Sequence, residues 1–171
     1  HHLLRVFPDW QSVLNSPVSV LEEAIRPGGL APTKSKRIHQ ILKEIKLLQP
    51  DFNLNFLADQ PIEEARAWLT SLPGVGPKTA ACVLLFALGR PTLPVDTHVE
   101  RVSKRLGLVP LKMNADKAHI LLEKSVKPKD VYAYHMDLIQ HGRRTCNARK
   151  PKCNECALIK KCPQNGIPIA Y

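Results

Sequence analysis

Leu72-Pro73-Gly74-Val75-Gly76-Pro77-Lys78-Thr79-Ala80 is the stretch on which the reading of this chain turns. A helical pattern from Pro61 to Thr70 precedes it, and an apolar helix follows from Pro77 to Leu88, with Gly89 as its cap. The two glycines of the turn permit positive φ and carry no side chain, so the backbone there can approach a ligand closely. Amides of Gly74, Val75 and Gly76, together with the unpaired first amides of the next helix around Lys78 and Thr79, suit an anion such as a phosphate. A simple connection between two helices is the plain alternative. Lys78 falls at about the second helical position, where the helix dipole disfavours a cation and favours the neutral amine needed for attack on carbon. A solvated or phosphate-binding lysine is the competing reading.

Outward from this turn the periodicity is helical, and no sustained strand alternation bounded by hairpin dipeptides occurs. The fold class is therefore all-α. Ser19 is placed to cap a short helix through Ile25, which Pro27, Gly28 and Gly29 end. Thr33 is placed to cap the next helix, in which Ile38, Ile41, Leu42, Ile45 and Leu48 share one face until Pro50. Asp96 follows the extended Arg90 to Val95 and can cap a helix to about Leu106; Asn114 can cap another to about Val126. The last long helix is read from Lys129 to Gln140 and ends at Gly142. Lys78 to Leu88 advances about 15 Å as a helix, and the extended return covers about 20 Å, so Asp96 can come back to Lys78. A carboxylate there could stabilise positive charge on a sugar or handle protons, as well as cap its helix.

The chain has 171 residues, with 25 Lys plus Arg against 15 Asp plus Glu, a formal charge of +10. At 44% apolar composition it is not a disordered chain, and its length suits one domain or two small lobes. The longest apolar run, Ala80 to Leu88, is too short to span a bilayer, and no signal-peptide pattern is seen. These features predict a soluble intracellular protein whose basic excess favours DNA or RNA over a membrane.

Of five cysteines, Cys82 lies in the apolar helix and reads as a small buried thiol. The others form one compact run: Cys146, six residues, Cys153, two residues, Cys156, five residues, Cys162. Four clustered thiols of this kind point to metal or cluster ligands, and short loops around one object suit an iron-sulfur cluster, with zinc as the alternative. Arg143, Arg144, Arg149 and Lys150 are among the cations around these ligands and make a candidate phosphate-binding surface. His98 and His141 read as capping or phosphate-contact residues, and Trp10 and Trp68 as core or inter-helix residues.

Three signatures in order, the Leu72 to Ala80 turn, Val95-Asp96-Thr97-His98-Val99 and the Cys146 to Cys162 run, closely resemble the endonuclease III family of helix-hairpin-helix DNA glycosylases. The resemblance spans about Arg5 to Gly166. It implies a helical barrel domain over residues 1–91, incomplete at its N-terminus because the family's leading helices are not in this chain, with the helix-hairpin-helix at 62–88. It implies an iron-sulfur domain over 92–171, in which Cys146, Cys153, Cys156 and Cys162 hold a [4Fe-4S] cluster in the loop 146–162. The implied activity is base excision repair. Lys78 would attack the sugar C1′ of an oxidised pyrimidine nucleotide flipped from duplex DNA, and the abasic site would then be cleaved by β-elimination, with Asp96 assisting. The implied protein is a monomer acting on damaged or abasic double-stranded DNA in the cytoplasm, at the nucleoid. A monofunctional adenine or mismatch glycosylase of the same superfamily and a non-catalytic DNA-binding fragment are the alternatives. Pro77 departs from the family by replacing a basic residue often found there.

Overall fold

A computed structural model describes residues 3–167, and among them every regular element is helical. The elements are α1 (Leu3–Val6), α2 (Trp10–Asn15), α3 (Val18–Ile25), α4 (Ala31–Leu48), α5 (Ile62–Ser71), α6 (Pro77–Cys82), α7 (Thr97–Arg105), α8 (Ala115–Ser125) and α9 (Val131–Arg144), joined by short 3-10 turns. The contacts divide the chain into two units, one ending at Gly76 and the other beginning at Pro77. No helix among the described residues is long and apolar enough to cross a membrane.

In the first unit α4 is the central element. Its apolar face buries Leu42 and Ile45, and Leu42 joins Phe7, Val13, Leu21 and Ala24 in one core cluster, with Ile38 and Phe52 packed against it. Asp9 caps α2 through Oδ1, which accepts from the Ser12 amide at 2.6 Å. Two expected caps are replaced. Pro17, not Ser19, precedes α3, and α4 begins at Ala31 with Thr33 already inside it. Pro32 explains the second difference, because its fixed φ is suited to a first helical turn. Pro61 likewise sits one residue before α5 rather than at its first position. Trp68 meets Phe56 edge to face at 5.3 Å between ring centroids, whereas Trp10 is 44% exposed and so is no core residue.

The second unit is built on a cluster of Leu85, Leu93, Val99, Val102, Leu122 and Leu138 with their neighbours, in which α7 and α9 pack together. Asn114 caps α8 by accepting from the Lys117 amide at 2.9 Å. α9 starts at Val131, after a 3-10 turn over Pro128–Asp130, and runs through Gly142 instead of ending there. The reason is tertiary. Gly142 is where α9 meets α7: a Cβ at that position would lie 3.0 Å from both Cβ and Nδ1 of His98. Gly142→Ala should gain about 1 kcal/mol in helix propensity and lose about 2 kcal/mol to overpacking, since the His98 Cβ is anchored to a buried helix and yields little. A net loss of about 1 kcal/mol in chemical denaturation is expected; a more stable variant would show that the contact relaxes freely.

Candidate active site and cysteine loop

The helix opened by Pro77 does not run on as a plain α-helix. After Cys82 it widens into a π turn over Val83–Ala87, and the chain reverses at Gly89, whose φ is +64°. The buried Thr92 hydroxyl donates to the Ala81 carbonyl at 3.0 Å, and the Arg90 amide donates to the Leu84 carbonyl at 2.8 Å. These bonds tie the extended segment back along the helix it has just left. Two further contacts hold that segment from the other side. The Leu93 amide donates to Glu123 Oε1 at 2.8 Å, and His135 Nδ1 lies 2.8 Å from the Pro94 carbonyl, which makes Nδ1 the protonated nitrogen.

Asp96 follows directly and caps α7, its Oδ1 accepting from the His98 and Val99 amides at 2.9 and 2.8 Å. Oδ2 accepts from no described residue. The charges of Lys78 and Asp96 both act on the Cys82 thiol, and both act again on the His135 imidazole. The chain after α6 is thus tied back along that helix as far as Asp96, both charges reach Cys82 and His135, and the lysine side chain is exposed at the start of α6. Cys82 is half-buried rather than the fully buried thiol the sequence suggests, and what burial it has pushes its thiol above the usual range, so it stays protonated at neutral pH.

His135 is 3% exposed, and burial pulls its pKa below the usual imidazole range, against the raising effects of the Pro94 carbonyl and Asp96. Its unfolded pKa is about 6.5, so the unfolded chain binds more protons as pH falls below that value. Stability from this group is complete above about pH 6.5 and is lost as pH drops toward the lower folded value. Melting temperatures measured from about pH 7.5 to 5.5 should fall, and His135→Gln should flatten the fall; an unchanged profile in the variant would remove His135 as its source.

In the hairpin turn the Val75 amide is already donated to the Leu72 carbonyl at 3.1 Å, while the Gly74 and Gly76 amides donate to no described residue. Thr79 is exposed beside Lys78. Arg143, Arg144, Arg149 and Lys150 are all exposed, at the end of α9 and in the loop after it. The two histidines have other neighbours. His98 Nδ1 lies 3.1 Å from Arg101 Nη2, and His141 Nε2 lies 3.8 Å from Cys156 Sγ, which turns His141 toward the cysteines.

The cysteine loop wraps the joint ends of α7 and α9. Arg105, 7% exposed, donates from Nη1 to the Asn147 carbonyl at 2.6 Å and to Cys146 Sγ at 3.3 Å, and from Nη2 to the Ala148 carbonyl at 3.1 Å. Arg101 donates to the Gly142 carbonyl at 2.8 Å and the Cys146 carbonyl at 3.0 Å. The Gln164 amide donates to Cys162 Sγ at 3.4 Å. Burial and the neighbouring sulfurs of Cys146, Cys156 and Cys162 push the Cys153 thiol up, with Arg105 partly offsetting them, so the four sulfurs lie in one another's field. Among the described residues no group of three or more His, Cys, Asp or Glu is set to hold a single metal ion. Sulfurs of Cys146, Cys156 and Cys162 that act on Cys153, with N–H donors from Arg105 on Cys146 and from Gln164 on Cys162, suit a group that takes them as thiolates, because a bound cationic centre favours the deprotonated form.

The HhH-GPD family profile, described as the HhH-GPD superfamily of base excision DNA repair proteins, matches residues 1–128. The chain belongs to that superfamily. Within it, endonuclease III of Treponema pallidum is 41% identical over 84% of this chain, which covers 63% of that protein. Endonuclease III of Bacillus subtilis is 37% identical over 89% of this chain, which covers 65% of that protein. The chain thus spans less than two thirds of the length of these relatives. A solved trapped endonuclease III–DNA covalent intermediate matches 95% of this chain and 72% of its own with a TM-score of 0.80 at 31% identity. These likenesses confirm the expected all-α endonuclease III fold.

Several residues that shape this HhH-GPD site escaped the sequence reading. Arg105 is one, although an arginine three residues after Val102 on the apolar face of α7 is a visible signal for a buried, many-bonded guanidinium. His135 is another, read only as part of a helix. In the first unit, Leu30 just before α4 also went unremarked: it is 77% exposed with φ +55°, a left-handed conformation that a leucine adopts at a cost. Nothing in its own side chain announces that strain; the preceding Gly28-Gly29 pair is the only local hint.

Proposed function

We propose that this chain carries the chemistry of a bifunctional DNA glycosylase and abasic-site lyase acting on oxidised pyrimidines in duplex DNA, as a monomer. The observation that carries the reading is the exposed amine of Lys78 at a helix start, with the segment that leads to Asp96 tied back along that helix by the Thr92 and Arg90 hydrogen bonds. The covalent DNA intermediate trapped in the structurally similar endonuclease III supports it.

In the proposed reaction the damaged nucleotide leaves the base stack so that C1′ becomes reachable. The neutral Lys78 amine bonds to C1′ as the C1′–N bond to the base breaks, and the base departs with the electron pair and takes up a proton. Nζ then loses a proton, O4′ takes one up as the sugar ring opens at its C1′–O4′ bond, and a protonated imine joins Nζ to C1′. Loss of a C2′ proton feeds electrons toward C3′, whose bond to the 3′ phosphate oxygen breaks. Water finally releases the lysine. The Asp96 carboxylate stabilises the cationic sugar and imine through space, and its Oδ2 can accept a proton.

Cys146, Cys153, Cys156 and Cys162 would hold a [4Fe-4S] cluster, which pins the basic loop and supplies no bond-making step. Gly74, Gly76, Lys78 and Thr79 would present backbone amides to phosphate, and Arg143, Arg144, Arg149 and Lys150 would add positive charge. Incubation with duplexes bearing defined oxidised pyrimidines, with borohydride present, tests the reading. Strand cleavage and a covalent protein–DNA product are expected. Base release without cleavage would replace the reading with a monofunctional glycosylase, and salt-dependent binding with neither would leave a DNA-binding module.

A further inference from the structure

Gly74, at the hairpin turn, has φ +74°, and the space beside its Cα is already taken. A Cβ there would lie 2.6 Å from Nε and 2.9 Å from Cδ of Arg37, which stands on α4 in the same unit. Arg37 is exposed, and no hydrogen bond or ion pair engages its guanidinium among the described residues. An arginine that lies along a backbone turn presents its planar fork to whatever acceptor approaches that turn. Here the fork lies against a glycine turn whose Gly74 and Gly76 amides also lack described partners. Lys36 is exposed next to it, and both line a surface recess with Pro32, Thr33 and Gln40 and no carboxylate. Three sets of donors, two of them cationic and none with an acceptor among the described residues, thus meet at one short stretch of surface, a chemistry that suits a phosphodiester.

We propose that Arg37 binds the DNA phosphate received by the hairpin turn, so that a side chain of α4 and amides of the turn share one phosphodiester. The proposal rests on the DNA reading above and adds a residue to it. Glycine at position 74 then has a second role beyond its positive φ, because any Cβ would displace the guanidinium.

Fluorescence anisotropy with a duplex carrying a tetrahydrofuran abasic analogue, from roughly 50 to 200 mM salt, tests it. Arg37→Ala should weaken binding about fivefold at the lower salt and flatten the plot of log affinity against log salt by about 0.9, the counterion release of one phosphate. Arg37→Lys should keep that slope while giving up part of the affinity, since an ammonium lacks the fork. Lys43→Ala removes one charge from the same helix, about 120° round from Arg37, and should leave the slope as in the parent. Equal slopes for parent and Arg37→Ala, or equal flattening by Lys43→Ala, would overturn the assignment even if Lys78 traps DNA. An Arg37-dependent slope in a protein that never traps would overturn the lyase reading and leave this one standing.

Discussion

Lys78→Ala is expected to reduce borohydride trapping on abasic duplex DNA by about 10³-fold or more, because the variant removes the exposed amine at the start of α6 to which the attack on C1′ is assigned. Lys78→Gln should behave alike, since it keeps a polar side chain one atom shorter while removing the charge and the nucleophile. Binding to an abasic analogue should weaken by no more than about tenfold in either variant, as one cation among many contributes to phosphate attraction. That separation of chemistry from binding is the informative part. A variant trapped as efficiently as the parent would show that a different amine forms the imine, and the role assigned to Asp96 would fall with it. Lys78 lies on the exposed surface at a helix end, so its replacement leaves the packing of the second unit intact and the loss reads as chemistry.

Arg105→Met is expected to cost about 3 kcal/mol, or roughly 6–12 °C in Tm for a chain of this size. The methionine fills similar volume, but the carbonyls of Asn147 and Ala148 and the sulfur of Cys146 lose their donor at a place that is 7% exposed. The loop that carries the cysteines is fastened to α7 by these bonds, so the visible absorbance per mole of a [4Fe-4S] cluster should fall along with stability. Thermal unfolding and an absorbance spectrum of anaerobically purified protein check both. A variant as stable and as coloured as the parent would mean that Arg101 and the loop turns suffice to hold the cysteines. A colourless parent holding stoichiometric zinc would replace the cluster assignment altogether.

Much of this architecture is legible along the chain because it is set by interactions a few residues long. The glycine turn, the helices on either side and the Asp96 and Asn114 caps all follow from short-range backbone chemistry, and the structure places each of them. So does the return of the chain along α6, which needed only the rise of a helix and of an extended segment. Errors gathered where a local preference met a distant partner. Gly142 reads as a helix stop until its lack of a side chain is seen to admit His98 from α7. Val83 to Ala87 reads as ordinary helix, and the π turn shows only when Thr92 supplies a hydroxyl to the Ala81 carbonyl.

The sequence by itself determined that the chain is helical, that a glycine turn introduces Lys78, and that four thiols in short loops could take a metal centre; each depends on spacing along one strand of backbone. Tertiary structure alone decided which side chains hold those parts in place. Arg105 was drawn to loop carbonyls some forty residues away, His135 to the Pro94 carbonyl, and Arg37 to the face of Gly74. The physical reason is that a buried or packed polar group finds its partner through space, and nothing in its own neighbourhood of sequence records where that partner is.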